Sequence, residues 1–141
     1  MAPRVVGAAA ETSAAGPLNS IGMADVYDLF QRGTALLEAG DFAAATVPLA
    51  KARDLDPDKT SIREALGRAY FRSSQFEAAR AEFEAIVERA PTNDYALFCL
   101  GRSLLELGRP KDARKALALA AGLRPDRRDY RIYRDRARAA A

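Results

Sequence analysis

The chain has no histidine, no tryptophan and a single cysteine, Cys99, in 141 residues. Without an imidazole in the chain, Cys99 lacks the usual base that activates a thiol nucleophile. One Cys with no His cannot assemble a zinc site. A lone cysteine also excludes an intrachain disulfide, so a reducing, cytoplasmic setting is expected. No apolar run comes near the ~18 residues a membrane helix needs, and no membrane partner is expected. Strand-like alternation and Gly-rich phosphate loops are missing, and the carboxylates are scattered over helix faces that read as solvated. Enzymatic activity, a metal, a cofactor and a small-molecule substrate are therefore not expected, and Cys99 reads as a small structural residue.

What is present is ample apolar material, 49% of the residues, with an ordinary 29% charged, which suits one domain. The net charge of +3 is unevenly placed. From Leu123 on, seven arginines stand against three aspartates. The basic character therefore belongs to this tail and not to the body of the chain.

The body is periodic. Gly33, Gly67 and Gly101 are spaced by 34, and so are Pro57, Pro91 and Pro125. Two markers that share a period and a phase signal stacked supersecondary units. The best-formed copy runs from Asp94 to Pro125, with apolar residues at helical spacing on both sides of a Gly108-Arg109-Pro110 turn. Counting from each Gly, the third residue is Leu36, Tyr70 or Leu104 and the seventh is Gly40, Ser74 or Gly108. The twelfth is Ala45, Ala79 or Ala113, and the sixteenth is Leu49, Phe83 or Leu117. Small residues allow two helices to approach, large ones fill the space beside the contact, and each Pro ends the second helix. A single pair cannot bury its apolar face alone, so units stack.

This pattern resembles the tetratricopeptide repeat (TPR) over about Val26 to Pro125. The resemblance implies an all-α fold: an α-solenoid of three helix-turn-helix units, 26–59, 60–93 and 94–125, with an Arg-rich capping helix over 126–141. The chain departs from the pattern at Arg32 and Arg63, where apolar residues are usual, and at Pro110, which replaces an aromatic. Pro48 falls inside the second helix of the first unit and should kink it. The expected helices are Ala24–Ala39, Asp41–Asp54, Asp58–Arg72, Ser74–Arg89, Thr92–Leu107, Pro110–Gly122 and about Asp126–Ala139. Asp41, Ser73-Ser74 and Thr92-Asn93-Asp94 supply start signals. Tyr130, Tyr133 and Ala137 are placed to pack the last helix back on the third unit. Residues 1–22, rich in Ala, Gly, Ser and Pro, read as a disordered extension. Arg4 before VVGAAA hints at an export signal, but the run is too short. Met23 stands immediately before the first expected helix, and MADVYDLF looks like a natural start. The abundance of Ala and Arg points to a high-GC bacterium.

In such arrays the first helices line a concave surface where partners bind. The face opposite each Gly carries Tyr27, Phe30 and Thr34 in the first unit, Arg68, Phe71 and Arg72 in the second, and Tyr95, Phe98 and Arg102 in the third. Aromatics and Arg are the residue types that anchor interfaces. This face is expected to bind a peptide or protein segment, with aromatic pockets for apolar side chains and arginines for acidic groups. An alternative assigns Phe71 to the contact between units, and Tyr27 and Phe30 to the open end of the stack. TPR proteins that grip the C-terminal carboxylate of heat-shock chaperones use Lys, Asn and Arg here. The matching places hold Phe30, Thr34, Ala65, Tyr95 and Cys99, so that role is not implied. Two readings stand beside the groove: nucleic acid on the Arg-rich tail, weakened by its interleaved aspartates, and self-association of two stacks.

Overall fold

The computed structural model describes residues 15–141, with side chains from residue 25 on. Among the described residues there are seven helices and no strand: α1 Ala15–Glu38, α2 Phe42–Leu55, α3 Thr60–Arg72, α4 Phe76–Arg89, α5 Asp94–Glu106, α6 Pro110–Leu123 and α7 Arg128–Ala140. Each helix packs mainly on the next in the chain, the signature of a solenoid.

Each pair closes by the same device. Gly33 faces Leu49, Gly67 faces Phe83 and Gly101 faces Leu117. A Cβ at these glycines would stand 2.5 Å from Leu49 Cδ2, 2.7 Å from Phe83 Cζ and 2.6 Å from Leu117 Cδ2. The three large partners are fully buried, so none can move aside at low cost. The residue before each Pro (Asp56, Ala90, Arg124) leaves the helical region with φ between −141° and −132° and ψ between 74° and 79°, as the Pro ring demands.

The turn within each unit is also written three times. The N–H groups of Asp41, Gln75 and Arg109 donate to the carbonyls of Leu36, Tyr70 and Leu104 at 2.8–2.9 Å. This is the Schellman closure, which needs a left-handed residue. Gly40 and Gly108 supply it at φ 83° and 72°, but the second unit puts Ser74 there at φ 63°. A side chain in that region costs about 1–2 kcal/mol. Glycine is looser in the unfolded chain, which gives back roughly half of the gain. Ser74→Gly should therefore raise the unfolding free energy by about 0.5–1 kcal/mol in urea titrations. An unchanged or lower midpoint would refute the strain.

Two local expectations are corrected. The disorder assigned to 1–22 fails over 15–22, where α1 is already helical. Pro17 lies in the first turn, where no N–H is missed. Once Val26–Glu38 is packed, a short upstream stretch propagates the helix without paying for a new nucleus. Residues 1–14, with the export-signal motif, lie outside the described residues. Secondly, Ser73 does not start α4. It caps α3, its hydroxyl donating to the carbonyls of Ala69 (2.8 Å) and Tyr70 (3.1 Å). Of the proposed caps only Asn93 acts through its side chain, accepting from the Ala96 N–H at 3.0 Å; Asp41 stands at the start of α2 without such a bond. Helix α2 runs without a break through the buried Pro48, the position expected to bend it.

Candidate functional site

The first helices α3 and α5 lie on one side of the stack, and a pocket of about 220 Å³ opens between them. Arg68, Phe71 and Arg72 come from α3, Tyr95, Cys99 and Arg102 from α5, and Phe83 of α4 forms part of the wall. Five of the nine residues expected on this face thus converge. Helical period puts Arg68, Phe71 and Arg72 on one stripe of α3. The 34-residue repeat sets the corresponding stripe of α5 opposite.

The pocket is built on cation–π contacts. Arg102 lies over the rings of Phe71 (4.8 Å), Tyr133 (4.6 Å) and, more distantly, Phe98 (5.8 Å). Arg72 lies over Phe42 at 4.2 Å, and Phe71 meets Phe76 edge-on at 5.2 Å. Stacking holds a guanidinium by its face and leaves the in-plane N–H groups free. Among the described residues Arg68, Arg72 and Arg102 make no ion pair. The Nε of Arg102 is buried without a hydrogen-bond partner. Elsewhere arginines are largely neutralised, as in Arg80 with Glu77 and Glu84 or Arg89 with Asp58.

The other expected residues lie apart. Phe98 is corrected: it is 5% exposed, stacked on Tyr130 at 4.6 Å and meeting Tyr133 edge-on at 5.5 Å. Helix α7 packs on the third unit and covers this end of the face. Phe30 is half-buried against the cores of the first and second units. The hydroxyl of Thr34 turns back on its own helix, donating to the Phe30 carbonyl at 3.0 Å. Tyr27 is 68% exposed and stands outside the pocket.

Cys99, assigned to the groove face but read as structural, and Phe83, not expected on this face, also line the pocket. Cys99 has the helical phase of the groove face, while Phe83 comes from a second helix that period alone assigns to the core. Burial pushes the Cys99 thiol up to about 12 and raises Tyr95 beside it. Cys99 is therefore a thiol and not a thiolate at neutral pH. Alkylation by iodoacetamide at pH 8 should run on the order of a hundredfold or more slower than for a free cysteine. Comparable rates would refute this protonation state.

The helix pairs, their glycine contacts and the basic, aromatic-lined pocket define the class: an α-solenoid scaffold of repeated helix pairs. A family profile described as tetratricopeptide repeat matches residues 30–94 and 64–128. The chain belongs to the tetratricopeptide repeat family. No curated protein matches its sequence. Among solved structures it is similar to the first TPR of Spaghetti (RPAP3) bound to the HSP90 peptide SRMEEVD, at 20% identity and TM-score 0.76 over 82% of this chain and 92% of that one. The Arabidopsis OM64 TPR domain matches at 19% identity and TM-score 0.77, over 84% and 98%. A MamA RS-1 double mutant matches at 24% and 0.78, over 82% and 65%. At these identities the likeness is one of fold.

Proposed function

We propose that this protein is a non-enzymatic interaction module that holds an extended segment of a partner protein on the face of its first helices. The observation that carries the reading is the set of three arginines, Arg68, Arg72 and Arg102, none ion-paired among the described residues, around an aromatic-walled pocket. Positioned guanidinium groups favour carboxylates, through charge-assisted and often bidentate hydrogen bonds. The RPAP3 domain carries an acidic peptide, SRMEEVD, which supports an acidic segment as the kind of ligand suited to this fold. The places that would grip a terminal carboxylate hold Phe30, Thr34, Ala65, Tyr95 and Cys99, so side-chain carboxylates within a segment suit this chain better than a free C-terminus.

The reading of the tail as a nucleic-acid surface loses support. Arg124 pairs with Asp126, Arg127 with Asp129, and Arg134 with Asp135, at 2.7–3.1 Å. The three aspartates thus offset part of the tail's charge, while Arg128, Arg131 and Arg136 make no ion pair among the described residues. No helix among the described residues is long and apolar enough to cross a membrane.

The test is affinity capture from cell extract by the full chain, beside an Arg68→Glu/Arg102→Glu variant of equal helicity by circular dichroism. A protein retained by the first and reduced roughly tenfold or more by the variant supports the groove. Equal retention by both refutes it. Loss of retention on nuclease treatment would return the tail to consideration.

A further inference from the structure

Arg68, Arg102 and Arg136 are spaced by 34, one from each of the last three first-position helices, α3, α5 and α7. Residue 34 completes the series as Thr34. The guanidinium of Arg136 lies over Tyr133 at 4.6 Å, and that of Arg102 lies over the same ring, also at 4.6 Å. Arg102, which lines the pocket between α3 and α5, is thus linked to Arg136 of α7 through a tyrosine shared by the two arginines. None of the three arginines makes an ion pair among the described residues, although Glu64 and Glu106 stand on the same face.

We propose that these three arginines form a ladder that reads an acidic protein segment carrying a carboxylate at every third residue. This rests on the groove reading and adds the spacing and the third rung. Arg102 and Arg136 each lie 4.6 Å from the centre of the Tyr133 ring, so their guanidinium groups stand up to about 9 Å apart, and the repeat carries the same step back to Arg68. A polyproline II segment repeats every three residues and rises ~3.1 Å per residue, so its every-third side chains share one edge at ~9 Å intervals. Spacing by two in an extended strand gives only about 7 Å and falls out of step with the rungs. Single-stranded nucleic acid is disfavoured for a different reason. It needs open ring faces for base stacking, and here Tyr133 and Phe71 already carry guanidinium groups.

The probe is a fluorescein-labelled (Glu-Pro-Pro)3 peptide, titrated by anisotropy into the full chain. The comparison peptide has the same composition with its three glutamates consecutive. The spaced peptide should bind roughly tenfold tighter. Arg68→Gln, Arg102→Gln and Arg136→Gln should each weaken it about fivefold or more, with unchanged circular dichroism. Equal affinity for the two peptides overturns the ladder. An effect at Arg68 and Arg102 with none at Arg136 overturns the third rung and leaves the groove standing. No effect at any of the three, or no binding of either peptide, overturns the ladder and the acidic-segment reading beneath it. Tighter binding of a uridine homopolymer than of either peptide would show that the arginines read phosphates.

Discussion

Phe98→Ala should unfold the C-terminal end of the stack before it touches binding. The side chain is 5% exposed and stacks at 4.6 Å on Tyr130, which is itself fully buried. The Tyr130 hydroxyl donates to Asp94 Oδ2 at 2.7 Å, so one ring on α5 and one on α7 share a satisfied interface. Removing a buried Phe costs about 3–5 kcal/mol through lost transfer energy and the cavity left behind. That is a large part of the ~5–15 kcal/mol that holds a domain of this size together. In a solenoid the loss stays local, because each unit is supported only by its neighbours. The expected result is a melting temperature lower by roughly 10 °C, with hydrogen-exchange protection lost first in α7. Phe98→Leu, which fills most of the space, should cost less than half as much. A Phe98→Ala protein with an unchanged melting temperature and weakened partner binding would mean that Phe98 is an open pocket after all.

Phe98 also shows where sequence reading of the site stops. The 34-residue phase assigns residues to a helix face correctly, and Arg68, Phe71, Arg72, Tyr95 and Arg102 do meet at one pocket. Phase is blind to what lies beyond the last repeat. Phe98 and Phe30 hold equivalent positions, yet one lies under α7 and the other stays half-buried at the opposite end. The covering residues, Tyr130 and Tyr133, were legible as a packing stripe on the last helix. Their contact with the groove face depends on how α7 seats against α5, a tertiary fact. The arginine spacing was written in the sequence, but it becomes visible as a series only when α7 is recognised as a first helix in register. The start of α1 was illegible for the reverse reason: composition spoke for disorder, and a helix already anchored downstream overrode it.

Glu82→Ala should be the costliest single substitution among the charged residues. The second unit breaks the repeat's pattern at two places. Arg63 stands where the other units have the buried Leu29 and Leu97, and Glu82 stands where they have the buried Pro48 and Ala116. Each departure alone would bury an uncompensated charge, which costs several kcal/mol. Together they answer each other: the Arg63 guanidinium donates to Glu82 Oε1 at 2.9 Å and to the Pro57 carbonyl at 2.7 Å. Arg53 on α2 donates to Glu82 Oε2 at 2.5 Å. The carboxylate of α4 thus ties the first unit to the second, with its side chain 5% exposed against 25% and 21% for the two arginines. Glu82→Ala leaves two arginines that can turn partly to water, and the expected loss is about 2–3 kcal/mol in urea titrations. Arg53→Ala with Arg63→Ala should cost more, about 3–5 kcal/mol, because it strands the buried carboxylate. Arg63→Leu with Glu82→Ala restores the pair that the third unit uses, Leu97 and Ala116, and should recover most of the stability. If that double variant is no better than Glu82→Ala alone, the two residues are not a coupled replacement for an apolar contact, and Arg63 owes its place to something other than Glu82.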